Sequence, residues 1–189
     1  MVDIKLLKCG YNTRQALVLL LNTDASLDIR DVEDVYYPYV RFRYEILAGK
    51  GKMVRKANKL SDCIIDRVSG SVYETRGEPE FQEVSIPEEE ALNVETIMEE
   101  CYNIGHDFTL KQFIGKSKLL ISPEMSVIEE DHFYKKFYIV TCQDVDEREY
   151  YIMVDAVDGG ISVLDHEKYV EENIGELTEN QGILEEKQV

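Results

Sequence analysis

Hydrophobic positions recur along this chain with two different periods. Within residues 11–21, Ala16, Leu17, Leu20 and Leu21 fall at helical spacing, and Asn12 or Thr13 stands where a capping side chain is needed. That pattern predicts a short helix. Residues 23–34 are too polar to assign. From Tyr37 to Leu47 the period drops to two, with Val40, Phe42, Tyr44 and Ile46 on one face and Tyr39, Arg41, Arg43 and Glu45 on the other. This predicts a half-buried strand, with Pro38 at the first position of an edge strand because proline cannot donate to a ladder. Gly49 and Gly51 interrupt it. Residues 59–68 predict a second strand, Ser69-Gly70 a tight turn, and residues 71–75 a returning strand. Gly77 and Pro79 mark residues 76–80 as the expected break, with the boundary region reaching to Ile86.

Beyond the break, Ser85 and Glu88 fit a capping box, and Pro87 is tolerated in a first turn. A helix is therefore expected from there, with Ala91, Val94, Met98, Cys101 and Tyr102 on one face and a stop at Gly105. Residues 109–120 predict another helix. Residues 133–142 and 150–157 read as strands joined by an acidic connection, 143–149. Asp158-Gly159 turns the chain into a strand over 161–164. Asp165 would cap a last helix to Ile174, and residues 176–189 are expected to form a mobile acidic tail.

The two halves resemble each other. Residues 63–72 (CIIDRVSGSV) align with 152–161 (IMVDAVDGGI) at a constant offset of 89, and Asp66/Asp155, Val68/Val157 and Gly70/Gly159 are identical. Glycine in the turn supplies a positive φ, and the preceding Asp can accept from turn amides. An aromatic strand precedes each copy (Phe42 to Tyr44, Phe137-Tyr138), and a helix opening at Thr13 or Thr109 lies upstream of each. Element order and identities together predict an internal duplication. The expected architecture is α+β, with two similar helix-plus-antiparallel-sheet units at residues 1–80 and 81–175. Residues 150–161 (YYIMVDAVDGGI) also resemble the end of a PepSY-type repeat, and the first copy keeps Asp66 and Gly70 but has Arg67 in place of the usual Ala. PepSY-like modules are small helix-plus-sheet units found in protease propeptides and other bacterial proteins. The resemblance implies a binding or inhibitory module and carries over no catalytic residues.

Charge changes this picture locally. The 189 residues carry 21 Lys+Arg against 38 Asp+Glu, a net of −17. Residues 1–76 hold 13 cations and 10 anions, whereas residues 77–189 hold 8 and 28. Acidic charge therefore belongs to the second half and repels nucleic acid and anionic membrane. The exception is a basic arm, Lys50, Lys52, Arg55, Lys56 and Lys59, with Arg41, Arg43, Tyr37 and Tyr39 nearby in sequence. These nine residues are the candidate ligand- or partner-binding set, and the arm would suit an anion, a nucleic acid or an acidic protein. A solvated hairpin loop whose charge discourages edge pairing is the simpler alternative.

Other candidate chemistry is weaker. The three histidines each adjoin an aspartate (His106-Asp107, Asp131-His132, Asp165-His166), but adjacent strand residues point to opposite faces and cannot chelate as a pair. Cys101 and His106 are five residues apart, off the shared helical face that a nucleophile and base would need. No phosphate-binding glycine loop and no calcium loop is present. Catalytic residues, a metal and a cofactor are therefore not expected. No apolar run approaches the ~20 residues of a membrane span, and the ordered regions of a signal peptide are lacking, so a cytoplasmic location is expected. The leading functional expectation is a non-catalytic binding or regulatory module acting through protein–protein contacts, and a homo-oligomer is compatible with it. Anion or nucleic-acid binding through the arm is the alternative, and an acidic polyanion mimic is the third reading.

Overall fold

The computed structural model describes residues 1–48, 57–75, 77–117 and 123–164. It is a mixed α/β protein with two helices and mostly antiparallel strands among these residues. In chain order they are β1 (Val2–Leu7), α1 (Thr13–Thr23), β2 (Asp28–Ala48), β3 (Ala57–Asp66), β4 (Val72–Glu74), β5 (Phe81–Ile86), a short 3-10 turn (Glu88–Glu90), α2 (Met98–Ser117), β6 (Glu124–Gln143), β7 (Glu149–Asp155) and β8 (Ile161–Leu164). The expected helix over 165–174 and tail over 176–189 lie outside the described residues. No described helix is long and apolar enough to cross a membrane.

The chain divides into two compact units. The first comprises Met1–Lys8 and Tyr36–Lys136, the second Cys9–Val35 and the chain from Phe137 onward. The division does not fall at residues 76–86, since the first unit runs straight through them. It falls instead within β2 and β6, whose 21 and 20 residues exceed what one small sheet uses. The helices are exchanged relative to sequence order. α1, which precedes β2–β4, belongs to the unit of β7 and β8, and α2 belongs to the unit of β3 and β4.

In the first unit the strands lie in the order β4-β3-β2-β6-β1-β5. β2 and β3 form an antiparallel ladder from Tyr39↔Asp66 to Ala48↔Ala57. The alternating face of Val40, Phe42, Tyr44 and Ile46 is buried with Cys63 and Ile65 against Cys101 and Phe113 of α2. Pro38 is not at the start of an edge strand, as β2 begins ten residues earlier. It sits one residue beyond the last β2–β3 pair, and its carbonyl accepts from the Arg67 N–H at 2.9 Å. Its ring nitrogen faces the same side, where the β3 ladder has ended and no donor is required.

The capping box at Ser85 is not used. Ser85 lies in β5, opposite Asp3 of β1, and the helix begins thirteen residues later at Met98. Val2, Ile4 and Leu6 alternate along β1, and Ile4, Leu6 and Ile86 are buried. The partner strand outcompetes the local signal because it buries apolar area that the helical turn would leave exposed. Gly105 does not stop α2 either. A Cβ there would lie 2.8 Å from Tyr44 Oη, 3.1 Å from Phe42 Cδ2 and 3.3 Å from Cys63 Sγ, so glycine lets the helix approach the sheet. The two predicted helices of this region are thus one, running through Thr109.

In the second unit, Asn12 and Gln15 form a reciprocal capping box on α1, at 3.0 and 2.9 Å. Ala16 and Leu20 bury against Tyr138, Val140, Cys142, Ile152, Val154 and Ala156 of β6, β7 and the turn that follows. β6 pairs with β7 from Phe137↔Asp155 to Gln143↔Glu149, and β7 pairs with β8. The Tyr138 hydroxyl donates to the Tyr11 carbonyl at 2.9 Å, closing the chain before α1 onto the sheet.

Candidate binding site

Arg41 and Arg43 stand on the β2 face opposite α2, where the alternation put them, but they are not free cations. Arg41 is only 3 % exposed. It donates to Asp62 at 2.6 Å, Asp131 at 3.0 Å and Glu78 at 3.3 Å. Arg43 holds both Asp62 oxygens at 2.9 Å and Glu129 at 2.9 Å, and it also binds Glu78 closely. Lys5 of β1 completes the group on Asp131 at 2.6 Å. Burial favours the neutral carboxylic acid of Asp62, but the hydrogen bonds and charges of Arg43 and Arg41 outweigh it and hold the carboxyl below its ordinary range. Asp131 is held down too, chiefly by the hydrogen bond from Lys5. These carboxylates come from β3, β6 and the segment after β4, so no local spacing announced them. Only the Arg43↔Asp62 pair was recoverable, once the hairpin register is set.

Tyr39 is also committed: it is buried, stacks on Phe133 at 5.8 Å and reaches Asp66 through its hydroxyl at 3.3 Å. Tyr37 is half-buried on the same strand. Lys50, Lys52, Arg55 and Lys56 lie outside the described residues. Lys59, the last of the basic set, is exposed, with its Nζ 5.8 Å from the centre of the Phe113 ring of α2.

Lys59 opens onto a concave feature of this unit. Lys59, Leu60, Ser61 and Asp62 of β3 line a cleft of about 280 Å³ with Gln112 and Phe113 of α2, beside Thr75 and Glu78. It exists because β4 is short. Only Cys63, Ile64 and Ile65 are covered by β4, after which one long 3.4 Å contact from Thr75 N–H to the Asp62 carbonyl ends the pairing. Asp66 N–H also bonds on this side, to Ser71 O. Backbone direction alternates along a strand, so the even-numbered residues of β3 face β4 and the N–H and C=O of Leu60 face outward. Among the described residues nothing pairs with them, and the Leu60 side chain is 56 % exposed.

The remaining sequence candidates separate. His132 Nε2 meets Glu130 at 2.7 Å, while its neighbour Asp131 faces the arginines on the other side of the sheet. Glu130 also accepts from Tyr102. His106 lies exposed on α2, 3.6 Å from Asp107, and His166 is outside the described residues. No group of three or more His, Cys, Asp or Glu positioned for a metal occurs among the described residues. Burial pushes the Cys63 thiol up to about 11 and raises those of Cys101 and Cys142, so none supplies a thiolate near neutral pH. The acidic hairpin carboxylate Asp144 is turned inward onto the amides of Asp146 and Arg148 at 2.8 and 2.9 Å. Comparison of the chain with protein-family models, with curated proteins and with solved structures finds no match.

Proposed function

We propose that this protein is a non-catalytic binding module acting through protein–protein contacts, and that its contact surface is the open edge of β3 beside the end of α2. The observation that carries this reading is the mismatch of strand lengths: ten residues in β3 against three in β4. It leaves outward backbone groups and an exposed leucine at the rim of a cleft, the arrangement that strand addition uses. The raised thiols of Cys63, Cys101 and Cys142 and the separation of His106 from His132 favour binding over catalysis. Anion binding through the arginine pair is disfavoured, because Arg41 and Arg43 are already neutralised by four carboxylates. The likeness of residues 150–161 to PepSY-type repeats agrees with a binding role.

The test is site-specific photo-crosslinking in the producing cell. A photoreactive residue at position 60 is expected to give adducts that the same residue at Val145, fully exposed in the β6–β7 hairpin, does not. Equal labelling at both positions, or none at 60, overturns the reading. So does hydrolase turnover with added divalent metals that is abolished by His132→Ala.

We also infer that the two units descend from a duplicated helix–hairpin–strand element with exchanged helices. Gly70 and Gly159 have φ of 69° and 76°, and each N–H bonds the carbonyl of the Asp four residues earlier, at 2.9 Å. Asp66 and Asp155 each accept from the amide two residues on, at 2.8 Å.

A further inference from the structure

Cationic residues without intervening carboxylates are concentrated in two stretches of the sequence, of which Lys59 and Lys111 are described in the structure. Residues 46–61 carry Lys50, Lys52, Arg55, Lys56 and Lys59, and residues 108–123 carry Lys111, Lys116 and Lys118. Among the described members, Lys59 lies over Phe113 at the cleft, and Lys111 lines a shallow groove with Phe108, Gln112 and Gly115; Gln112 borders both. Three carboxylates line the cleft: Asp62 and Glu78 are bound to Arg41 and Arg43, and Glu74 stands at the β4 end. Along β3 the two faces also differ. Odd positions share the α2 side and present Lys59, while Leu60 stands on the other side, opposite Glu45 of β2.

We propose that the β3 edge receives an acidic segment of a partner protein in extended conformation. This rests on the reading of that edge as the contact surface. The segment pairs with the outward N–H and C=O of Leu60. Side chains of an added strand alternate, so acidic residues at every second position lie toward Lys59 and Lys111, and apolar residues between them lie beside Leu60. The charge match supplies selectivity and a salt-sensitive association rate.

The experiment uses the full chain and a labelled glutamate–valine alternating peptide of about eight residues, a typical strand length. A lysine–valine peptide and an oligothymidylate of equal formal charge are the comparators. The glutamate peptide is expected to bind, more weakly as salt rises, and to protect the Leu60 amide from hydrogen exchange. Leu60→Pro removes an outward N–H and no β2 bond, and is expected to weaken binding about tenfold or more. Lys59→Glu with Lys111→Glu is expected to do the same without touching the backbone. Equal binding of the lysine peptide overturns the proposal. So does oligothymidylate binding as tight as the glutamate peptide and indifferent to Leu60→Pro, which would assign the surface to polyanions. Self-association of the free chain that Leu60→Pro abolishes would assign the edge to a second copy, and also overturns it. Absence of peptide binding with crosslinks from position 60 intact removes the acidic partner alone, whereas loss of both removes the edge as a contact surface.

Discussion

Arg41 illustrates how one side chain can be placed correctly by pattern and misread in role. Alternation puts it on the face opposite Val40 and Phe42, and the structure agrees. A guanidinium that is 3 % exposed must be paired, because an isolated buried charge is too costly to keep. Arg41→Ala leaves Asp62 and Asp131 facing each other's field without their shared cation. We expect a loss of about 3 kcal/mol in urea unfolding, in line with breaking one side of a buried ion pair. Arg41→Lys should recover part of the loss, since it restores charge but not the fork. The same network sets an acid limit. Asp62 and Asp131 have folded-state pKa values below their unfolded ones. Their contribution is therefore complete above the unfolded value of about 4 and is lost as pH falls through the folded values. Urea midpoints measured downward from neutral pH should fall below about pH 4 in the wild type, and less steeply in Arg41→Ala.

Among the elements, α2 shows most clearly why local rules and tertiary contacts diverge. Gly105 and Gly115 look alike in sequence, and each costs helix propensity relative to alanine. Among the described residues none lies within 4 Å of where a Gly115 Cβ would stand, whereas at Gly105 the nearest atom is Tyr44 Oη at 2.8 Å. Gly115→Ala should therefore stabilise by up to about 1 kcal/mol. Gly105→Ala should destabilise by about 1–3 kcal/mol despite the same propensity gain, because the packed Tyr44, Phe42 and Cys63 must move. Thermal or urea unfolding of the two variants side by side checks this. Equal shifts would show that the helix is not pressed onto the sheet at Gly105. β5 makes the converse point. The capping box of Ser85 and Glu88 is sound by local criteria, yet the ladder with β1 runs from Val2↔Ile86 to Leu7↔Phe81 and takes Ser85 into a strand, while Glu88 opens the short 3-10 turn.

For the whole molecule, chain connectivity constrains how the two units unfold. β2 and β6 each contribute residues to both units, so neither unit is a contiguous piece of sequence. Loosening one unit releases the ends of strands that the other requires. We expect a single cooperative transition. Hydrogen exchange read at Phe42 of the first unit and at Val140 of the second should report the same opening free energy near the midpoint. A destabilising Gly159→Ala, in the second unit, should lower both. In this variant the positive φ and contacts of 2.9 Å to Leu19 and 3.0 Å to Tyr11 oppose a side chain. Separate transitions would show that the shared strands do not couple the units. The −17 net charge belongs to this scale as well. It describes the chain on average and says nothing about the β3 edge, where Lys59 lies over Phe113 of α2.

Sequence alone determined the features whose causes are local. These are the α1 helix with its cap at Asn12 or Thr13, the period-two face of β2, the turns at Ser69-Gly70 and Asp158-Gly159, the strands β3, β4, β7 and β8, and residues 133–142 of the longer β6. Each depends on side chains within a few residues, where capping, alternation and positive φ operate. Tertiary structure alone decided which helix packs on which strands, that Gly105 lies inside α2, that Ser85 joins β5, and that Arg41 and Arg43 are paired. It also set the edge, which depends on β4 being only three residues long. Those outcomes turn on pairing between segments far apart in the chain, and burial of apolar area and charge, summed over such pairings, outweighs the preferences of any short stretch.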